Sequence, residues 1–127
     1  MAAPTLDGAG TAKMNTLDDA VIQLQHLHTI VERMASAVKN GQPTGGFGPQ
    51  LRRTGAPMVG LLKAQFGLIS DQVVALLLAS TRGSNEQVRV RTLREGIGQL
   101  RQQLDIAAGQ VKTKHGIKDE KPARDDD

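Results

Sequence analysis

Apolar side chains recur along this chain at alternating spacings of three and four residues, the period of a helix with one buried stripe. Leu17, Ala20, Leu24, Leu27, Val31, Met34 and Val38 occupy successive a and d positions of one heptad run. Val59, Leu62, Phe66, Ile69, Val73 and Leu76 form a second, and Val90, Leu93, Ile97, Leu100, Leu104, Ala107 and Val111 a third. The pattern predicts an all-α, antiparallel bundle of three long helices at about residues 17–40, 57–82 and 85–115. Leu61, Leu68, Ala75, Leu77 and Leu78 widen the second stripe, which predicts that the middle helix is the most buried. Gly67 followed by Ser70 offers a break that would make four helices, but the heptad phase runs on, so one helix bent near Gly67 is expected. The third run is a narrow seam of the coiled-coil kind.

Helix boundaries follow from capping chemistry. Thr16 with Asp19 reads as a capping box opening the first helix, and Asn40-Gly41 as its stop. Arg82-Gly83-Ser84, with Gln87 three residues after the serine, reads as a tight turn into the third helix. Lys112, Lys114 and His115 suit the negative end of its dipole before Gly116. Residues 1–14 are aperiodic and read as a disordered lead-in, and the tail IKDEKPARDDD over 117–127 as a disordered charged segment.

Between the first two runs lies NGQPTGGFGPQLRRTGAP, residues 40–57, with five of the fourteen glycines and three of the five prolines. Gly41 and Gly46 have Walker spacing, but Phe47-Gly48 stands where Lys-Ser/Thr is required, and Gly46-Phe47-Gly48 does not complete a dinucleotide fingerprint. The stretch is expected to be a long crossover, with Pro49 able to open a short helix at Gln50 to Thr54 and Pro57 able to open or kink the main one. Phe47 is expected to plug one end of the bundle. Arg52 and Arg53 remain as a candidate anion or partner contact.

Composition narrows the chemistry. The 127 residues include two Phe, no Trp, no Tyr and no Cys, so the core is aliphatic and there is no disulfide or thiolate chemistry. No basic-then-apolar leader is present, and the longest apolar run, Val73 to Ala79, is seven residues; no membrane span and a cytoplasmic location are expected. Net charge is +3, unevenly spread: −1 over residues 1–49, +3 over 50–84, +3 over 85–116 and −2 beyond.

The other candidates lie on the helices. Arg89, Arg91, Arg94 and Arg101, with Arg82 before them, make the third helix basic on its solvent side, with Arg91–Glu95 and Arg101–Asp105 available as i, i+4 ion pairs. Gly60 and Gly67, seven apart, can offer a flat contact to a partner helix, while Gly96, Gly98 and Gly109 cost helix stability unless close packing offsets them. His26 and His28 are two apart, about 200° on a helix, which is wrong for a metal pair but open to phosphotransfer. No catalytic constellation, metal site or cofactor site is expected. The leading expectation is a small non-enzymatic bundle acting through protein–protein contacts, self-association included: an adaptor, assembly subunit or regulator. A nucleic-acid-binding protein using Arg52, Arg53 and the third helix is the first rival, disfavoured by the lack of stacking aromatics, and a His phosphotransfer protein the second.

Overall fold

The computed structural model describes residues 5–79 and 85–117. Four helices, α1 (Gly8–Lys39), α2 (Phe47–Lys63), α3 (Gly67–Ala79) and α4 (Glu86–His115), pack in a cycle: α1 against α2 and α4, and α3 against α2 and α4. The two longest, α1 and α4, lie antiparallel, and α2 and α3 form a shorter antiparallel hairpin across them. A minimal β pairing, Thr5 with Ile117 and Leu6 with Gly116, ties the start of α1 to the end of α4.

Two of the three heptad runs lie where their spacing put them. All seven seam residues of α4 are buried, and so are Leu17 through Met34 of the α1 seam, joined by Ile30 and Ala37. Val38 is half-buried against the core. The end of α1 is a Schellman motif: Gly41 takes φ +68°, its N–H donates to the Val38 carbonyl, and the Gln42 N–H donates to the Ala37 carbonyl. Lys112, Lys114 and His115 occupy the last turn of α4.

The start of α1 differs from the sequence reading. The helix begins at Gly8, and its N-cap is Asp7, whose carboxylate accepts from the Gly10 N–H at 2.6 Å. Thr16 is therefore interior, and its hydroxyl donates to the Ala12 carbonyl one turn back. Among the small residues that made 1–14 look unstructured, Gly10 serves packing: a Cβ there would lie 2.5 Å from the His115 Cβ. At α4 the capping residue is Asn85, which accepts from the N–H groups of Gln87 and Val88; Arg82-Gly83-Ser84 and the tail beyond Ile117 lie outside the described residues.

The middle of the chain departs furthest. The crossover expected over 40–57 is only 40–46, because α2 starts at Phe47, with Pro49 in its first turn and Pro57 inside it on the exposed side. There water can satisfy the carbonyl that proline leaves unbonded. Instead of continuing as one bent helix, the chain reverses at Ala64–Phe66 into α3. The predicted seam holds within α3, where Ile69, Val73 and Leu76 are buried, but in α2 only Leu62 of the run is buried; Val59 and Phe66 are half-buried, and Leu51, Gly55 and Met58 complete the inward side instead. Ser70, buried, does not cap α3 but donates its hydroxyl to the Val59 carbonyl of α2 at 3.1 Å. Phe47 packs against the core at one end of α2, as expected, and Phe66 does so at the other.

Close approach of α2 and α3 depends on Gly55, where an added Cβ would meet Leu77 at 2.6, 2.9 and 3.2 Å. At Gly60, on the same helix, a Cβ would meet nothing within 4 Å. Alanine gains about 1 kcal/mol over glycine in a helix interior, so Gly60→Ala is expected to raise stability by up to about 1 kcal/mol and Gly55→Ala to gain less, because the Leu77 methyls must move aside, as read from chemical denaturation followed by circular dichroism.

Candidate protein-interaction surface

Along the α1–α4 seam the polar side chains pair across the helices. Arg94 grips Glu32 with both arms, Nε to Oε2 at 2.8 Å and Nη2 to Oε1 at 2.7 Å, and Arg101 Nη2 donates to Gln25 Oε1 at 3.2 Å. These rungs are seven residues apart on both helices, so they repeat with the heptad and fix the antiparallel register. The fork geometry of guanidinium on carboxylate holds the Glu32 carboxyl below its usual range and raises Arg94 above its own. His28 Nε2 stands 3.7 Å from the same carboxylate. Of the expected i, i+4 pairs, Arg101–Asp105 gives way to the bond to Gln25, because Arg101 flanks the seam within reach of α1, and no Arg91–Glu95 pair forms.

The remaining candidate cations do not converge. Arg91 is exposed on α4 and Arg89 is half-buried there, while Arg52 and Arg53 are exposed on α2, which lies diagonally across the bundle from α4. The six arginines therefore form no single basic face. Gly60 and Gly67 are exposed, with open space where a Cβ would stand, so none of the described helices packs on them. The glycines that do admit a neighbour are Gly10, Gly55 and Gly96, the last with Leu76 2.5 Å from its would-be Cβ.

At the pole where the start of α1 meets the end of α4, His115 lies between unlike charges. Its Nδ1 is 3.3 Å from the Asp7 carboxylate and its Nε2 3.3 Å from Lys13 Nζ; the neutral tautomer protonated on Nδ1 satisfies both. Asp7 is held below its usual range, first by the Gly10 N–H and then by His115. Among the described residues no group of three or more His, Cys, Asp or Glu could hold a metal ion, and no helix is long and apolar enough to cross a membrane.

The feature that sequence reasoning missed is on α3. This helix is apolar around nearly its whole circumference, yet only Ile69, Ser70, Val73 and Leu76 are buried. Leu68 is 81% exposed, Val74 40% and Leu78 47%, so the helix expected to be the most buried turns an apolar face outward. Open grooves follow its seam with α4, one lined by Leu68 and Ile106 with Gln65, Gln103 and Gln110, the other by Gln72, Ala75, Ala79, Thr92 and Gln99 with Glu95. The signal lay in the width of the second apolar stripe, which exceeds what one side of a short helix can bury. The chain matches no known protein family, no curated protein and no solved structure.

The Arg94–Glu32 pair is half-exposed, with side-chain exposures of 50% and 43%, and should contribute from a few tenths to about 1 kcal/mol. Folding lowers the Glu32 pKa, so this contribution is complete above the unfolded carboxylate range and is lost as pH falls through the lower folded value. Glu32→Gln is expected to reduce stability at neutral pH and to flatten its dependence on acid. Denaturation midpoints of both proteins between neutral pH and the carboxylate range, at low and high salt, check this, with the difference shrinking in salt.

Proposed function

We propose that this protein is a non-enzymatic helical bundle of the cytoplasm that works through protein–protein contacts, as an adaptor, assembly subunit or regulator, using the outward face of α3. The observation that carries this reading is the 81% exposure of Leu68 on a helix with apolar residues on nearly every side. A helix of that composition is stable in water when its outer surface is covered. The flanking grooves are lined largely by uncharged glutamines and small apolar residues, in keeping with the depletion of charge at interface centres.

Nucleic-acid binding is the weaker reading. Arg94 and Arg101 are engaged with α1, and Arg52 and Arg53 stand on the diagonal helix. Phosphotransfer would rest on His26 alone, exposed mid-way along α1, since His28 is near Glu32.

A photo-crosslinking residue placed at Leu68 in cells should give discrete covalent adducts with protein, and the same residue at Gly98, on an exposed part of α4 with open space around it, should not. Equal labelling at both sites, or none at Leu68, overturns the reading. Nucleic-acid affinity that falls steeply with salt and is lost in the Arg52→Ala/Arg53→Ala double variant would favour the rival instead.

A further inference from the structure

Between Glu32 and Asp71 the chain has no acidic residue, while it has five cations: Arg33, Lys39, Arg52, Arg53 and Lys63. The fold gathers three of them. Arg33 lies six residues before the end of α1, and Arg52 and Arg53 lie five and six residues after the start of α2. The two helices pack on each other and are joined by the short turn over 40–46, so they run antiparallel and these positions stand at one level of the hairpin. Arg33 is also on the flank that α2 covers. Glu32 reaches α4, whereas Arg33 falls three residues after the buried Ile30 and four before the buried Ala37, on the other side of the helix. All three arginines are exposed, and among the described residues none is paired with a carboxylate.

We propose that Arg33, Arg52 and Arg53 form a docking site for an extended acidic segment of a partner protein, whose carboxylates pair with the three guanidiniums. This surface is separate from the outward face of α3 and independent of it. Charge complementarity selects the class of partner, because a patch of one sign left unpaired on its own chain attracts the opposite sign. Arginine suits carboxylates in particular, since its fork meets both oxygens at once, and arginine clusters are a recurring means of holding acidic motifs. The floor suits a chain lying flat. Between Arg53 and Lys63 the exposed residues of α2 are Ala56, Pro57 and Gly60, and a Cβ at Gly60 would meet nothing within 4 Å.

Other polyanions fit less well. A duplex is long and rigid and needs a long cationic track. Here the track ends at Asp19, exposed on the same flank of α1, fourteen residues before Arg33 and about 21 Å along the helix. Neither a single strand nor an anionic membrane finds an anchor, since the face exposes no aromatic ring to stack on a base and no large apolar side chain to insert among lipids. Exposed ion pairs are individually weak, so dissociation in the high micromolar range is expected at low salt, weakening as salt rises.

A fluorescently labelled oligoglutamate peptide, titrated with the purified full chain and followed by anisotropy at low and at physiological salt, tests this. Amide chemical shifts of the full chain locate the contact. Binding at low salt is expected, with shifts concentrated around residues 33 and 52–60, and a matched oligoglutamine peptide should not bind. The Arg33→Gln/Arg52→Gln/Arg53→Gln variant should lose at least about tenfold in affinity. Arg91→Gln/Lys112→Gln/Lys114→Gln, which removes the same charge from α4, should stay within about twofold. Helicity should be unchanged in both, since the replaced side chains are exposed. No binding of oligoglutamate at low salt, shifts centred elsewhere, or equal losses in the two variants overturns the site. A short DNA duplex that binds more tightly than the peptide and is lost in the same arginine variant would overturn the acidic-segment assignment in favour of nucleic acid. Adducts from Leu68 depend on none of these outcomes, so the α3 reading is judged separately.

Discussion

Antiparallel burial of α1 against α4 is the constraint to which every other element conforms. Each helix contributes an unbroken aliphatic seam, and the Glu32–Arg94 and Gln25–Arg101 rungs repeat at the same seven-residue interval on both. Sliding one helix by a turn would break both rungs and misalign the buried seams of α1 and α4, so hydrophobic packing and electrostatics select the same register. The α2–α3 hairpin can then only lie across the remaining open side of this pair. With few aromatics available, the core fills its volume with Leu, Val, Ile and Met, which interdigitate well only if helices approach closely.

That requirement explains the glycines with neighbours. Gly55 admits Leu77, Gly96 admits Leu76, and Gly10 admits His115; each sits where one helix meets the next around the cycle. On one flank α3 is held to α2 by the Gly55–Leu77 contact and by the Ser70 hydroxyl on the Val59 carbonyl. On its other flank, toward α4, glutamine-lined grooves remain open. The asymmetry leaves α3, the most apolar of the four helices, with Leu68, Val74 and Leu78 exposed, and its outward apolar face follows from that imbalance between composition and position.

How much of this the residues disclose depends on what the disclosing signal measures. Heptad spacing reports facing, and it placed the buried seams of α1 and α4 nearly residue by residue. It does not report direction, so it carried one helix through Ala64–Phe66 although Gly67 offered the break at which α3 begins; the shift of the buried side in α2 from Val59 to Met58 is the trace of that reversal. Glycine and proline content suggested a loop through Thr54 to Pro57, whereas proline on a solvent-facing side and glycine against Leu77 are compatible with helix once tertiary packing is in place. Thr16 satisfied a capping rule that Asp7 in fact fulfils, since a local motif cannot announce that the helix has already begun. The cross-helix destination of Arg94 and Arg101 required knowing which helix is the neighbour. The outward apolar face of α3 was present in the composition and was assigned to the interior, because width of stripe was taken for depth of burial.

The β pairing of Thr5–Leu6 with Gly116–Ile117, backed by the Asp7–His115–Lys13 contacts, has a topological consequence. It brings the two ends of the described fold together at one pole, so the chain traces a nearly closed loop whose seam is that pole. Because each end holds the other, neither α1 nor α4 can fray at this pole without breaking the same short ladder.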